Sequence, residues 1–105
     1  MSTFQLDPNQ VAYGVASNGT TQVATVTSSS VQMTAFGATT TMIRIACSQG
    51  HSHYAIGTNP TASITTSAMI PNNCVEIVRV TPGQKIAFIK DAAITTSTVS
   101  VTELV

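Results

Sequence analysis

Charge is what this sequence has least of. Lys and Arg together number 4 and Asp and Glu number 4 in 105 residues, so 8% of the chain is charged and the formal net charge is zero. Average soluble domains carry roughly 25% charged residues. The four cations, Arg44, Arg79, Lys85 and Lys90, are too few to neutralise a row of phosphates, which argues against nucleic acid as a partner. They also make no basic face for a membrane surface. No apolar run approaches the roughly 20 residues that cross a bilayer as a helix. Met1-Ser2-Thr3-Phe4 lacks the basic and apolar stretches of a secretory signal, so folding in a cytoplasm is expected. Cys47 and Cys74, the two cysteines, then read as reduced, small hydrophobic residues.

The acids are as sparse as the bases. Asp7, Glu76, Asp91 and Glu103 are scattered and offer no evident carboxylate pair for hydrolysis. Neither a nucleophile elbow nor a phosphate-cradling glycine loop is present, and the expectation is a protein that is not an enzyme and holds no cofactor. Tryptophan is absent, and the aromatics are Phe4, Tyr13, Phe36, Tyr54 and Phe88. Carbohydrate-binding sandwiches present aromatic faces for stacking, and this set is thin for that purpose.

Thr, Ser, Val and Ile take the place of charge. β-branched side chains lose rotamer freedom in a helix but pack well on a pleated surface. From Thr20 onward, short apolar segments alternate with turn residues, the pattern of a sandwich or barrel. The fold class read from this is all-β: an antiparallel β-sandwich of jelly-roll type, or a small β-barrel, with about seven or eight strands. Residues 1–19 carry no sustained periodicity and read as an N-terminal arm, with Asn18-Gly19 as a type I′ turn. Residues 20–105 form the domain.

The expected strands are Gln22 to Thr27 and Val31 to Phe36, a hairpin-like pair around Ser28-Ser29-Ser30; then Thr41 to Cys47, Ser52 to Ile56, Cys74 to Val80, Lys85 to Asp91 and Thr98 to Glu103. Ile43, Ile45 and Cys47 share one face of their strand, as do Val99 and Val101 of theirs. Thr81-Pro82-Gly83-Gln84 fits a type II turn and predicts a hairpin between the segments on either side. Both of those segments carry apolar residues on both faces, so each is expected to be central or covered by a neighbouring subunit. Glu76 and Arg79 should face opposite ways, each as a solvated surface residue.

His51 and His53 alternate along a strand and can aim both imidazoles at one ion, with Cys47 of the same parity. Gly50 interrupts that strand and no carboxylate lies nearby in sequence, so a polar loop or strand edge at a subunit contact is preferred to a metal site. The expected partner-binding residues are Phe4, Leu6, Val11 and Tyr13 of the arm, with His51, His53 and Tyr54. Phe36 and Phe88 are expected in the core.

The stretches Tyr54-Ala55-Ile56-Gly57-Thr58-Asn59-Pro60-Thr61-Ala62, Met69-Ile70-Pro71, Val80-Thr81-Pro82-Gly83-Gln84-Lys85-Ile86-Ala87-Phe88-Ile89 and Val99-Ser100-Val101-Thr102-Glu103-Leu104, with Glu76, resemble small structural proteins of tailed bacteriophages. The resemblance spans roughly the C-terminal half and consists of turn and strand residues. It implies a virion structural protein made in the host cytoplasm and placed on the capsid surface. The implied role is a decoration or cement protein that binds the major capsid protein as a homo-oligomer, a trimer being favoured. A tail or head–tail connector subunit is the alternative of the same class, and a glycan-binding or adhesion module the alternative from another.

Overall fold

The computed structural model describes residues 17–105. Among these, eight strands and no helix are present: β1 (Asn18–Val26), β2 (Val31–Gln32), β3 (Met42–Ser48), β4 (Ser52–Gly57), β5 (Ala68–Ile70), β6 (Val75–Arg79), β7 (Lys85–Lys90) and β8 (Ser97–Leu104). They form two four-stranded sheets in the orders β1-β8-β3-β6 and β2-β7-β4-β5. The first strand pairs with the eighth, the second with the seventh, the third with the sixth and the fourth with the fifth, all antiparallel. Nested pairing of this kind describes one long hairpin rolled up on itself. Two further ladders, β3 with β8 and β4 with β7, close the roll into sheets. This is the jelly roll, in which two sheets face each other across a shared core.

Period-2 alternation sets the core. In the first sheet Val26, Ile43, Ile45, Cys47, Val99 and Val101 point inwards; Ile70, Ile86 and Phe88 meet them from the second. Ile43, Ile45, Val99 and Ile86 are completely buried, and each such side chain contributes roughly 1.5–3 kcal/mol relative to leaving it in water. Phe36 and Phe88 are both in the core, as expected. Cys47 and Cys74 are free thiols on the two sides of a backbone hydrogen bond from the Cys47 N–H to the Cys74 carbonyl.

The connections differ from the sequence reading. Thr81 to Gln84 does turn as a type II turn requires: Gly83 has φ of 82° and the Gln84 N–H donates to the Thr81 carbonyl at 3.1 Å. Yet β6 and β7 lie in different sheets, so the turn is a corner between layers and the expected hairpin is absent. The same holds for β1 and β2. Only Val31 and Gln32 of the second expected strand pair as a strand, though Met33 and Phe36 still donate backbone hydrogen bonds to Ile86 and Gln84. Asn18-Gly19 is part of β1, next to a register shift, and does not form a turn. Pairing starts upstream of Thr20, because Ser17 and Val105 exchange two backbone hydrogen bonds.

The outer faces of the two sheets are treated differently. Over the β2-β7-β4-β5 sheet the chain between β4 and β5 folds back: Gln32 Nε2 donates to Asn59 Oδ1 and the Pro60 carbonyl, and the Ala62 N–H donates to Ser30 Oγ. Beneath it Ala87 is fully buried although it points away from the core. β7 is thereby central and covered on both sides. β6 is instead an edge strand, with Val75 and Ile77 exposed on the outer face of its sheet.

Candidate functional site

Two features stand out: a polar cluster at one end of the β2-β7-β4-β5 sheet and the uncovered face of the other sheet.

The cluster is assembled by the β4–β7 ladder. Ser52 pairs with Lys90 and His53 with Ile89; continuing that register by one residue sets His51 opposite Asp91. Ser52 points inwards, so His51 and His53 both point outwards at the sheet end. One donor atom from each of His51, His53 and Asp91 lies within 4.8 Å of the others. His51 Nε2 stands 3.6 Å from Asp91 Oδ2, and the two imidazole rings meet edge to face at 6.1 Å.

Each of the three is held from behind. His53 Nδ1 lies 3.1 Å from the Ser67 carbonyl oxygen. A carbonyl only accepts, so Nδ1 carries the proton and the neutral ring keeps its free lone pair on Nε2. Asp91 Oδ1 accepts the Ala93 N–H at 2.9 Å in an Asx-turn. That hydrogen bond holds the Asp91 carboxyl below the usual carboxylate range, helped by His51 and His53. His51 follows Gly50, whose missing side chain lets the β7–β8 connection lie directly against it, next to Ile94 and the Thr96 carbonyl. The Gly50 carbonyl accepts from Ser97 Oγ at 2.8 Å and from Cys47 Sγ at 3.0 Å. The two corners are locked together beneath the cluster.

Of the residues expected to act here, His51 and His53 are brought together. Cys47 is not: it is buried among Gly50, Ser52 and Ser97 on the inner side of its sheet. Asp91 was not anticipated. Tyr54 turns inwards beside Phe88, and its hydroxyl crosses the sandwich to donate to Glu76 Oε1 at 2.9 Å. Burial and the Glu76 carboxylate push the Tyr54 phenol up to about 12. Glu76 therefore faces the interior and is not the solvated residue expected, while Arg79 is exposed on the opposite face. Phe4, Leu6, Val11 and Tyr13 lie outside the described residues.

The second feature is the outer face of the β1-β8-β3-β6 sheet. Register sets Val23, Ser100, Ala46 and Val75 in one row across all four strands. Thr21, Thr102, Arg44 and Ile77 form the next row. Val23 is 69% exposed, Ile77 64% and Val75 50%. The charges in these rows and the adjoining one, which pairs Met42 with Leu104 and Arg79, are Arg44 and Arg79 alone. Among the described residues neither arginine has a carboxylate partner within ion-pair distance.

No family model, no curated protein and no solved structure matches this chain.

Proposed function

We propose that this chain is a virion structural protein of a tailed bacteriophage, a decoration or cement protein that binds the major capsid lattice as an oligomer and stabilises the head. The observation that carries the reading is the open face of the β1-β8-β3-β6 sheet, where Val23, Val75 and Ile77 remain exposed; on the other sheet the chain between β4 and β5 covers the β2 side and leaves Met69 exposed at the β5 edge. An exposed apolar face ringed by Thr and Ser suits burial against another protein, since few ions need to be stripped of water. Arg44 and Arg79 ask the partner for carboxylates opposite them. Repetition over a lattice makes weak single contacts strong in sum. In the same reading Phe4, Leu6, Val11 and Tyr13 anchor in a neighbouring subunit.

The jelly-roll fold occurs in capsid proteins but also in lectins and cupins, so it does not select among them. The weight falls on the open face and on the resemblance of the C-terminal half to phage structural proteins. The test mixes purified protein with phage heads assembled without it, following co-sedimentation and the temperature at which heads rupture. Saturable binding in many copies with a raised rupture temperature is expected, and it should be lost in a Val75→Asp/Ile77→Asp variant that still folds. Absence of binding to heads by the folded protein overturns the proposal.

A further inference from the structure

We infer that His51, His53 and Asp91 form a binding site for a divalent metal ion of the zinc class, with three protein ligands and solvent completing the coordination. Two imidazoles and one carboxylate are a borderline donor set: Zn²⁺, Co²⁺ and Ni²⁺ accept it readily, whereas Ca²⁺ and Mg²⁺ ask for oxygen alone.

Geometry brings the three together on one face of one ladder end. Their donor atoms lie within 4.8 Å of one another. Ligands about 2.0–2.2 Å from a tetrahedral zinc stand roughly 3.3 Å apart, and the 3.6 Å between His51 Nε2 and Asp91 Oδ2 is already near that separation. Small side-chain rotations bring in the rest. His53 supplies the second, independent observation. It is 9% exposed, its Nδ1–H is spent on the Ser67 carbonyl, and among the described residues nothing hydrogen-bonds its Nε2. Nε2 is thus a fixed lone pair without a proton to satisfy. A carbonyl behind the ring of a liganding histidine is the usual way that tautomer and orientation are set for a metal. Asp91 is likewise held by the Ala93 N–H through Oδ1, which leaves Oδ2 facing His51.

Access is open, because the side chains of His51 and Asp91 are 29% and 34% exposed. An ion here would tie three segments of chain: the β3–β4 corner, β4 itself and the start of the β7–β8 connection. Its binding energy then adds to the stability of the folded state.

The test uses the full chain, freed of metal with a chelator and titrated with Zn²⁺, and in parallel with Co²⁺ read by its visible absorption. One equivalent should bind, and at about 100 times Kd the Tm should rise by roughly 10 °C. His51→Ala and Asp91→Asn should each weaken binding at least about tenfold, and at the same zinc concentration the Tm rise should fall to about half of the parent's or less. Both should keep the metal-free Tm of the parent, since Asn still accepts from the Ala93 N–H. His53 is buried, so its replacement can unfold the protein, and the two exposed variants carry the decision. Zinc affinity and Tm rise equal in parent, His51→Ala and Asp91→Asn overturn the site, as does a parent that binds neither ion.

Discussion

Replacing Gly50 by Ala should destabilise this protein more than a methyl group ordinarily does. A Cβ at this position would stand 2.6 Å from the Thr96 carbonyl oxygen and overlap Ile94 Cγ2. Ordinary non-bonded contacts of carbon lie at roughly 3.5–4.0 Å, so the β7–β8 connection must retreat by about 1 Å. Retreat is resisted, since Ser97 at the end of that connection is completely buried and hydrogen-bonded to both the Gly50 carbonyl and Ser52 Oγ. Overpacking of this kind costs about 1–3 kcal/mol, and in a domain of this size each kcal/mol lowers Tm by about 4–8 °C. A fall of roughly 5–20 °C is therefore expected. Gly57→Ala is the control: a Cβ there meets nothing within 4 Å, and alanine restricts the unfolded chain without straining the fold, so Tm should hold or rise slightly. Thermal unfolding of the two variants and the parent by circular dichroism makes the comparison. Equal Tm values for Gly50→Ala and Gly57→Ala would refute the claim that the two corners are packed together at this glycine.

Tyr54→Phe removes the hydroxyl that bridges the sandwich to Glu76 and should cost about 1–2 kcal/mol near neutral pH. The pH dependence carries its own signature. The folded phenol is raised from 10.0 to about 12, so its stabilising contribution is full below pH 10 and is lost as pH rises through the folded value. Urea midpoints should fall more steeply between pH 10 and 12 in the parent than in Tyr54→Phe, and parallel curves would contradict this. Glu103 is buried, and its Oε1 accepts from the Gly37 N–H at 3.0 Å and from Thr40 Oγ1. Glu103→Ala strands both donors and should cost about 2–4 kcal/mol, while Glu103→Gln retains an acceptor and should recover most of it; equal urea midpoints for the two would show that these bonds do not hold the end of β8.

Most of the strands were legible, although β5 was not placed and β2 keeps only Val31 and Gln32 of its expected length. Ile43, Ile45 and Cys47 alternate with Met42, Arg44 and Ala46, and the structure puts the first set inside and the second outside. Alternation is a local property, because successive side chains on a strand must point to opposite faces. Pairing is not local. A type II turn at residues 81–84 closes the same hydrogen bond whether it joins two strands of one sheet or carries the chain from one sheet to the other. What decides is the competing partner: β6 finds β3, and β7 finds β4 and β2. Apolar residues on both faces of two neighbouring segments therefore had two different causes. In β7 Ile86 and Phe88 are buried on the inner side and Ala87 on the outer, and in β6 the outer ones, Val75 and Ile77, are exposed.

The polar cluster shows the same division between local and distant information. Two histidines two positions apart on a strand announce a shared face, and that much follows from sequence alone. Asp91 carries no such signal, since it is a single acid after an apolar strand and distant along the chain from His51. Its place follows only once the antiparallel pairing of β4 with β7 is known, because the register that sets Ser52 against Lys90 then puts residue 51 against residue 91. Cys47 fails for the complementary reason. Counting parity through Gly50 presumes one continuous strand, but β3 ends at Ser48 and the chain turns through Gln49, at φ of 73°, into β4 in the other sheet. Parity does not survive a corner between sheets, so the thiol points into the core while the imidazoles point out.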